Sequence, residues 1–146
     1  MIELIEPDWP APANIRAFCT TRVGGVSEGA YASLNLAGHV GDDPGCVEQN
    51  RDLLAGLVPA DTRFQWLTQV HGNRVVHAPT EAAATADASW THVPGVATAV
   101  LTADCLPVLF CNHGGTLVAA AHAGWRGLAA GVLEATVAAL PGPAEV

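Results

Sequence analysis

Lysine is absent from this chain: its six cations are all arginine (Arg16, Arg22, Arg51, Arg63, Arg74 and Arg126), set against fourteen acids for a net charge of −8. An acidic chain without basic runs excludes binding along a nucleic-acid backbone, so no nucleic-acid partner is expected. Isolated arginines can still grip one phosphate or carboxylate through the planar guanidinium. Also missing is any apolar run of about 18 residues, the length a membrane-spanning helix needs, and no membrane partner is expected. The opening "MIELIEPDWP" has acids and prolines where a secretory signal has a basic and then an apolar segment, so the expectation is a cytoplasmic protein. None of the four cysteines stands in a CxxC pair, which excludes a zinc ribbon or a thioredoxin motif. A cytoplasmic setting also argues against disulfides. Low-complexity segments and internal repeats are lacking.

What is present suits one compact domain over residues 1–146, half of it hydrophobic and long enough to bury a core. "IRAFCTTR" (Ile15–Arg22) reads as a strand running into a glycine-rich loop, where Gly24 and Gly25 allow close backbone approach. Asp43 and Pro44 mark a helix start, and Val47, Asn50, Leu53, Leu54 and Leu57 follow at helical spacing up to Pro59. "FQWLTQVHGNRVVHA" (Phe64–Ala78) predicts two short strands around an HGN turn, and "EAAATADASWTHVPG" a loop or edge region. Val96–Leu101 and Leu106–Cys111 are strand-like, and the "NHGG" turn joins Leu106–Cys111 to Leu117–His122 as a hairpin. A last helix carries Ala129, Val132, Leu133, Thr136, Val137 and Leu140 on one face, and Pro141-Gly142 ends it. Strands outnumber helices and include hairpins, so the expected class is α+β, a layered mixed sheet packed against a few helices.

The stretch "TADCLPVLF" is an apolar strand interrupted by Asp104-Cys105 and stiffened by Pro107. A thiol placed there sits where a strand ends. His71 in the HGN turn and His122 at the end of "LVAAAHAGWRG" occupy the same kind of position. Either alone is ordinarily a packing residue; three such junctions can meet at one rim of a sheet. A cysteine and two histidines are the ligand set of a catalytic Zn²⁺ with its fourth position open. The same atoms could instead form a nucleophile pair, Cys105 with His71 or His122 as base, and spacing alone does not separate the two uses. Asp104 is a candidate to orient a ligand or carry a proton. Arg126, at the start of the last helix, and Arg22, in the glycine-rich loop, are candidates for phosphate. Trp125 reads as a packing residue, and His39, His77 and His92 have no distinctive neighbours.

Taken in order, "TTRVGGVSEGAYASLNL", "QVHGNRVV", "ADASWT", "TADCLPVLF" and "AAAHAGWRG" resemble the laccase-domain family. Its members, once called multicopper polyphenol oxidases, are now regarded as purine nucleoside phosphorylases. The resemblance runs from about Ile15 to Leu140. It implies a Zn²⁺ site on His71, Cys105 and His122, with purine nucleosides and phosphate as partners. It further implies phosphorolysis of adenosine, inosine, guanosine and methylthioadenosine, together with deamination of adenosine. Copper fits less well, as an adventitious or historical assignment. A multicopper oxidase spreads many histidines over several centres, and this chain has six in all. Members of that family continue past the position of Val146 with a further glycine- and cysteine-containing block, so the expectation is a C-terminally truncated domain. Such a domain should expose apolar surface beside the site and tend to form homo-oligomers. Cys46 and Cys111 have no part in the motif. The competing readings are a metal-free cysteine hydrolase using Cys105 and His122, and an inactive fragment that binds a partner.

Overall fold

The computed structural model describes residues 1–142. Its contacts divide the chain into two compact units, Met1–Asp8 with Ala17–Thr62, and Trp9–Arg16 with the chain from Arg63 onward. The elements are of the α+β class.

The first unit holds a two-stranded antiparallel ribbon, β1 (Leu4–Ile5) with β2 (Cys19–Thr20), and the helix α1 (Pro44–Ala55). The strand expected over Ile15–Arg22 is cut to Cys19–Thr20, with the Thr21 N–H still donating to the Glu3 carbonyl across the ribbon and the Ile15 N–H donating to the Pro12 carbonyl in a turn. α1 begins as its sequence predicts: the Asp43 carboxylate accepts the Cys46 N–H, and Pro44 sits where no helical N–H is needed. It buries Val47, Asn50 and Leu54, whereas Leu53 is exposed. Asn50 replaces an apolar core residue for a reason. Its side chain accepts the Val26 N–H and donates to Ser27 Oγ and to the carbonyls of Ser33 and Asn35, closing the glycine-rich loop on the helix. Gly25 has no room for a side chain, since a Cβ there would stand 2.5 Å from the Asn50 oxygen.

The second unit is built on a four-stranded mixed sheet, ordered β5 (Val75–His77), β7 (Ala88–Thr91), β10 (Val118–Ala123), β9 (Leu106–Cys111). β5 runs parallel to β7, while β7–β10 and β10–β9 are antiparallel. The β9–β10 pair is the hairpin expected across "NHGG". Two parallel pairs flank the sheet in sequence: β3 (Arg63–Gln65) with β8 (Val96–Thr98), and β4 (Leu67–Thr68) with β6 (Ala84–Thr85). β7 forms where the sequence predicts a loop or edge region. The segment taken as loop or edge supplies an interior strand, buried at Ala88, Ser89 and Thr91. Its small residues give little hydrophobic signal, yet they let neighbours pack close.

The last helix is also two helices, α2 (Trp125–Ala129) and α3 (Val132–Ala139). Gly131 breaks them at φ 84°, a left-handed conformation that glycine adopts without steric penalty. α3 places Val132 and Leu133 against Ala88, Ala121 and Ala123, with Val75, Val108 and Phe110 around them. An alanine-rich sheet face lets the helix sit close, and this is the core that holds β10, on which His122 is the penultimate residue.

Pro107 lies in β9, an edge strand of its sheet, where a missing N–H leaves no ladder bond unmade. The strand therefore tolerates a proline two residues after Cys105.

Candidate metal centre

His71, Cys105 and His122 converge, with one donor atom from each within 4.8 Å of the others. The two imidazoles meet edge to face at a centroid distance of 4.8 Å. His122 is buried, Cys105 half-buried and His71 exposed, so the cluster opens to solvent on the His71 side. Donors around one tetrahedral ion sit about 3.4–3.7 Å apart, so the three need to close by about 1 Å to share one.

Each arrives by its own route. His122 is the penultimate residue of β10. Cys105 immediately precedes β9, in register next to the end of β10, where Leu106 opposes Ala123. His71 occupies the turn between β4 and β5 at φ 61°, a left-handed conformation uncommon for a residue with a side chain. Gln69 joins the last two segments: its amide donates to the Leu101 carbonyl and its oxygen accepts the Leu101 N–H, copying a strand pair where no strand runs.

A buried carboxylate holds the centre together. Asp87 Oδ1 accepts the His71 N–H at 2.9 Å and lies 2.9 Å from His122 Nδ1; Oδ2 accepts from Val70 at 3.2 Å and Gly72 at 2.9 Å. Three consecutive N–H groups wrapped on one carboxylate account for the left-handed turn at His71. Burial pushes the Asp87 carboxyl up, and the bonds from His122, Gly72, Val70 and His71 more than offset it, leaving it below the ordinary value. An ionised carboxylate can only accept, so His122 carries its proton on Nδ1 and keeps the Nε2 lone pair for a ligand. Asp87 falls in "ADASWT", where no strand was expected, and the sequence offered only its place in that block as a signal.

Two glycines give the centre its space. A Cβ on Gly124 would stand 2.7 Å from Cys105 Sγ and 3.6 Å from a His71 ring carbon. A Cβ on Gly127 would stand 3.3 Å from the carbonyl oxygens of Gly72 and His122, so α2 packs directly on the His71 turn. Asn73 completes that contact by donating to the Ala130 carbonyl.

The other candidates fall differently. Asp104 is exposed, with Cys105 Sγ 3.7 Å from its Oδ1; the carboxylate that orients a histidine is Asp87. Arg126 is exposed on α2, its guanidinium carbon 5.3 Å from the Trp125 ring centre. Trp125 does not pack: it is 77% exposed, with Leu106, Val70 and Leu128 also exposed beside the site residues in sequence. Arg22 lies in the first unit and donates to the carbonyls of Ala32 and Ala30 in its own loop. His77 and His92 have distinctive neighbours after all, each other and Trp90. All four cysteines are free thiols.

The Cys105 thiol is pushed up by burial and then by the charges of Asp104 and Asp87. A raised thiol disfavours the free thiolate, so Cys105 needs a cation beside it to act either as a ligand or as a nucleophile. The donor set suits a borderline cation: one thiolate, two imidazoles, a carboxylate behind one of them and an open side.

The family model described as multi-copper polyphenol oxidoreductase laccase matches residues 16–145. The chain is 58% identical to a purine nucleoside phosphorylase of Pseudomonas aeruginosa, over 97% of this chain and 57% of the relative. It is 55% identical to the purine nucleoside phosphorylase YfiH of Escherichia coli, over 94% and 57%. Among solved structures, a Neisseria meningitidis protein superposes with a TM-score of 0.91 at 52% identity, covering 96% of this chain and 58% of that one. YlmD from Geobacillus stearothermophilus gives 0.84 at 35% identity, covering 92% and 54%. The chain therefore spans little more than half the length of these relatives.

Proposed function

Because the chain belongs to the multi-copper polyphenol oxidoreductase laccase family, we propose that it carries the metal centre of a zinc-dependent purine nucleoside phosphorylase. The observation that carries the reading is the convergence of His71, Cys105 and His122, backed by Asp87, in a chain whose relatives are named for that activity. The substrates in this reading are adenosine, inosine, guanosine and methylthioadenosine, with phosphate; adenosine is also deaminated. The setting is cytoplasmic, which the free thiols suit. No helix among the described residues is long and apolar enough to cross a membrane.

His71, Cys105 and His122 would hold the ion, and when bound it supplies Lewis acidity at the open side of the cluster. A single thiolate–imidazole centre suits zinc better than the several centres of a copper oxidase. Asp87 keeps His122 in the tautomer that leaves Nε2 free, and keeps the His71 turn closed on the same carboxylate. In phosphorolysis a phosphate oxygen bonds to the anomeric carbon as the bond from that carbon to the purine nitrogen breaks. The electron pair leaves with the base, which takes up a proton. Asp104, exposed beside Cys105, is assigned as the proton carrier. Arg126, close in sequence to His122 and exposed on α2, is a cation placed to meet phosphate. In deamination water replaces the amino group and ammonia leaves.

The test is release of hypoxanthine from inosine by the zinc-loaded chain, with and without phosphate. Release that requires phosphate and yields ribose 1-phosphate supports the reading. Equal release without phosphate makes the protein a nucleoside hydrolase, and no release with any of the four nucleosides overturns the assignment for this chain. Ammonia formed from adenosine without phosphate reports the deaminase step separately.

A further inference from the structure

His77 and His92 stand apart from the centre described above. His77 opposes Trp90 in the β5–β7 register, and Trp90 opposes Ala119 on β10, so these residues share one face of the sheet. His122 is an odd number of residues along β10 from Ala119 and projects from the other face. His92 follows Trp90 by two residues and returns to the Trp90 side. A short sequence pattern thus puts three rings together: a histidine on an edge strand, and Trp-Thr-His on its neighbour.

Their geometry is ordered. Trp90 lies flat on one face of His77, with centroids 3.9 Å apart and planes 2° from parallel. His92 is 5.0 Å from His77 and 5.8 Å from Trp90. Those three distances form a nearly right-angled triangle, so His92 stands at the edge of the His77 ring, where a ring nitrogen points. His77 Nε2 and His92 Nδ1 are 3.2 Å apart. The backbone below them is clamped: the Ala78 N–H donates to the Trp90 carbonyl, Thr91 Oγ1 donates to the Ala78 carbonyl, and the Val93 N–H donates to Thr91 Oγ1.

We infer that His77 and His92 form a second metal site, a two-imidazole chelate for a borderline divalent ion such as Cu²⁺, on the face of the sheet opposite His122. With metal–nitrogen bonds of about 2.05 Å, nitrogens 3.2 Å apart subtend about 100° at the ion, between octahedral and tetrahedral values. Such a chelate sets the two ring centroids about 5 Å apart, and the observed separation is 5.0 Å. Both residues are exposed, so water fills the remaining positions and the ion needs no entry path. The pair binds as two neutral imidazoles, each with its proton on the nitrogen turned away from the ion. Among divalent ions of the first row, Cu²⁺ binds such nitrogens most tightly. The inference is independent of the activity proposed for the first centre.

Trp90 supplies the readout, because Cu²⁺ held by the ring stacked on it quenches indole fluorescence. The experiment is a Cu²⁺ titration of the zinc-loaded chain, followed by fluorescence and by the nitrogen couplings in the electron paramagnetic resonance spectrum. His77→Ala, His92→Ala, Trp90→Phe and His71→Ala are run beside it, each checked for fold by circular dichroism. A saturable quench with two-nitrogen coupling is expected in the parent and in His71→Ala. Loss of either His77 or His92 should weaken it about tenfold or more, and Trp90→Phe should remove the quench while the copper signal stays. The same isotherm in His77→Ala as in the parent, or one altered only by His71→Ala, assigns the copper elsewhere and overturns the site.

Discussion

Asp87 Oδ1 and His122 Nδ1 lie 2.9 Å apart with both side chains buried, and the same carboxylate collects three backbone N–H groups from the turn that carries His71. Two candidate ligands from distant parts of the chain are therefore aligned by one residue. Replacing Asp87 by Asn keeps the shape but sets an NH₂ against donors. Metal affinity should fall by about 10- to 100-fold, and stability by about 1–3 kcal/mol. Chelator competition with zinc measures the first and urea denaturation the second. Unchanged affinity in a destabilised variant would reduce Asp87 to a purely structural role.

Cys105→Ala should abolish metal binding and activity, whereas Cys111→Ala should spare both. Cys111 lies at the far end of β9 from Cys105, and its loss should cost only about 1 kcal/mol of packing. Zinc content after dialysis distinguishes the two, and full retention of zinc by Cys105→Ala contradicts its place as a ligand.

Gly124→Ala tests the space at the centre. The added methyl would stand 2.7 Å from Cys105 Sγ, so the thiol must swing away. The variant should fold, with α2 and α3 intact by circular dichroism, and bind zinc at least about tenfold more weakly. Parent-like affinity would mean that Cys105 has room to move without leaving the cluster.

Acid should loosen the first unit through Asp42. Hydrogen bonds from Ser27 and Asn35 hold its carboxyl below the ordinary value, against a smaller effect of burial, with a further bond from the Asp43 N–H. A carboxyl lowered in the folded state contributes stability above its unfolded value, and that contribution disappears as pH falls through the folded value. Asp42→Asn should thus be less stable than the parent at pH about 7, with a gap that begins to narrow only below about pH 4 and closes at pH values under the lowered folded-state value. Denaturation midpoints at both pH values check this; a constant gap between the two proteins would refute it.

Much of the candidate site is legible in the sequence, because its signals are local. His71, Cys105 and His122 each stand where an apolar run breaks beside Gly, Asp or Pro, and that is visible in one dimension. The α1 start at Asp43-Pro44 and the β9–β10 hairpin rest on equally local chemistry, a cap and a turn. The break at Gly131 was missed because apolar residues continue at helical spacing through it; only the backbone reveals the left-handed residue.

What the tertiary structure alone decided are relations between residues far apart in the chain. Asp87 looks like a loop acid until β7 is seen between β5 and β10, where its carboxylate faces the His71 turn and the His122 ring together. His77 and His92 look like isolated surface residues until the parallel register of β5 and β7 brings them side by side next to Trp90. The sequence by itself determined which chemistry was available, through residue types and the turns that present them. Which groups meet depended on strand order and register, because a strand's partners lie outside its own sequence and small residues such as Ala88 and Ser89 declare their burial only once neighbours pack on them.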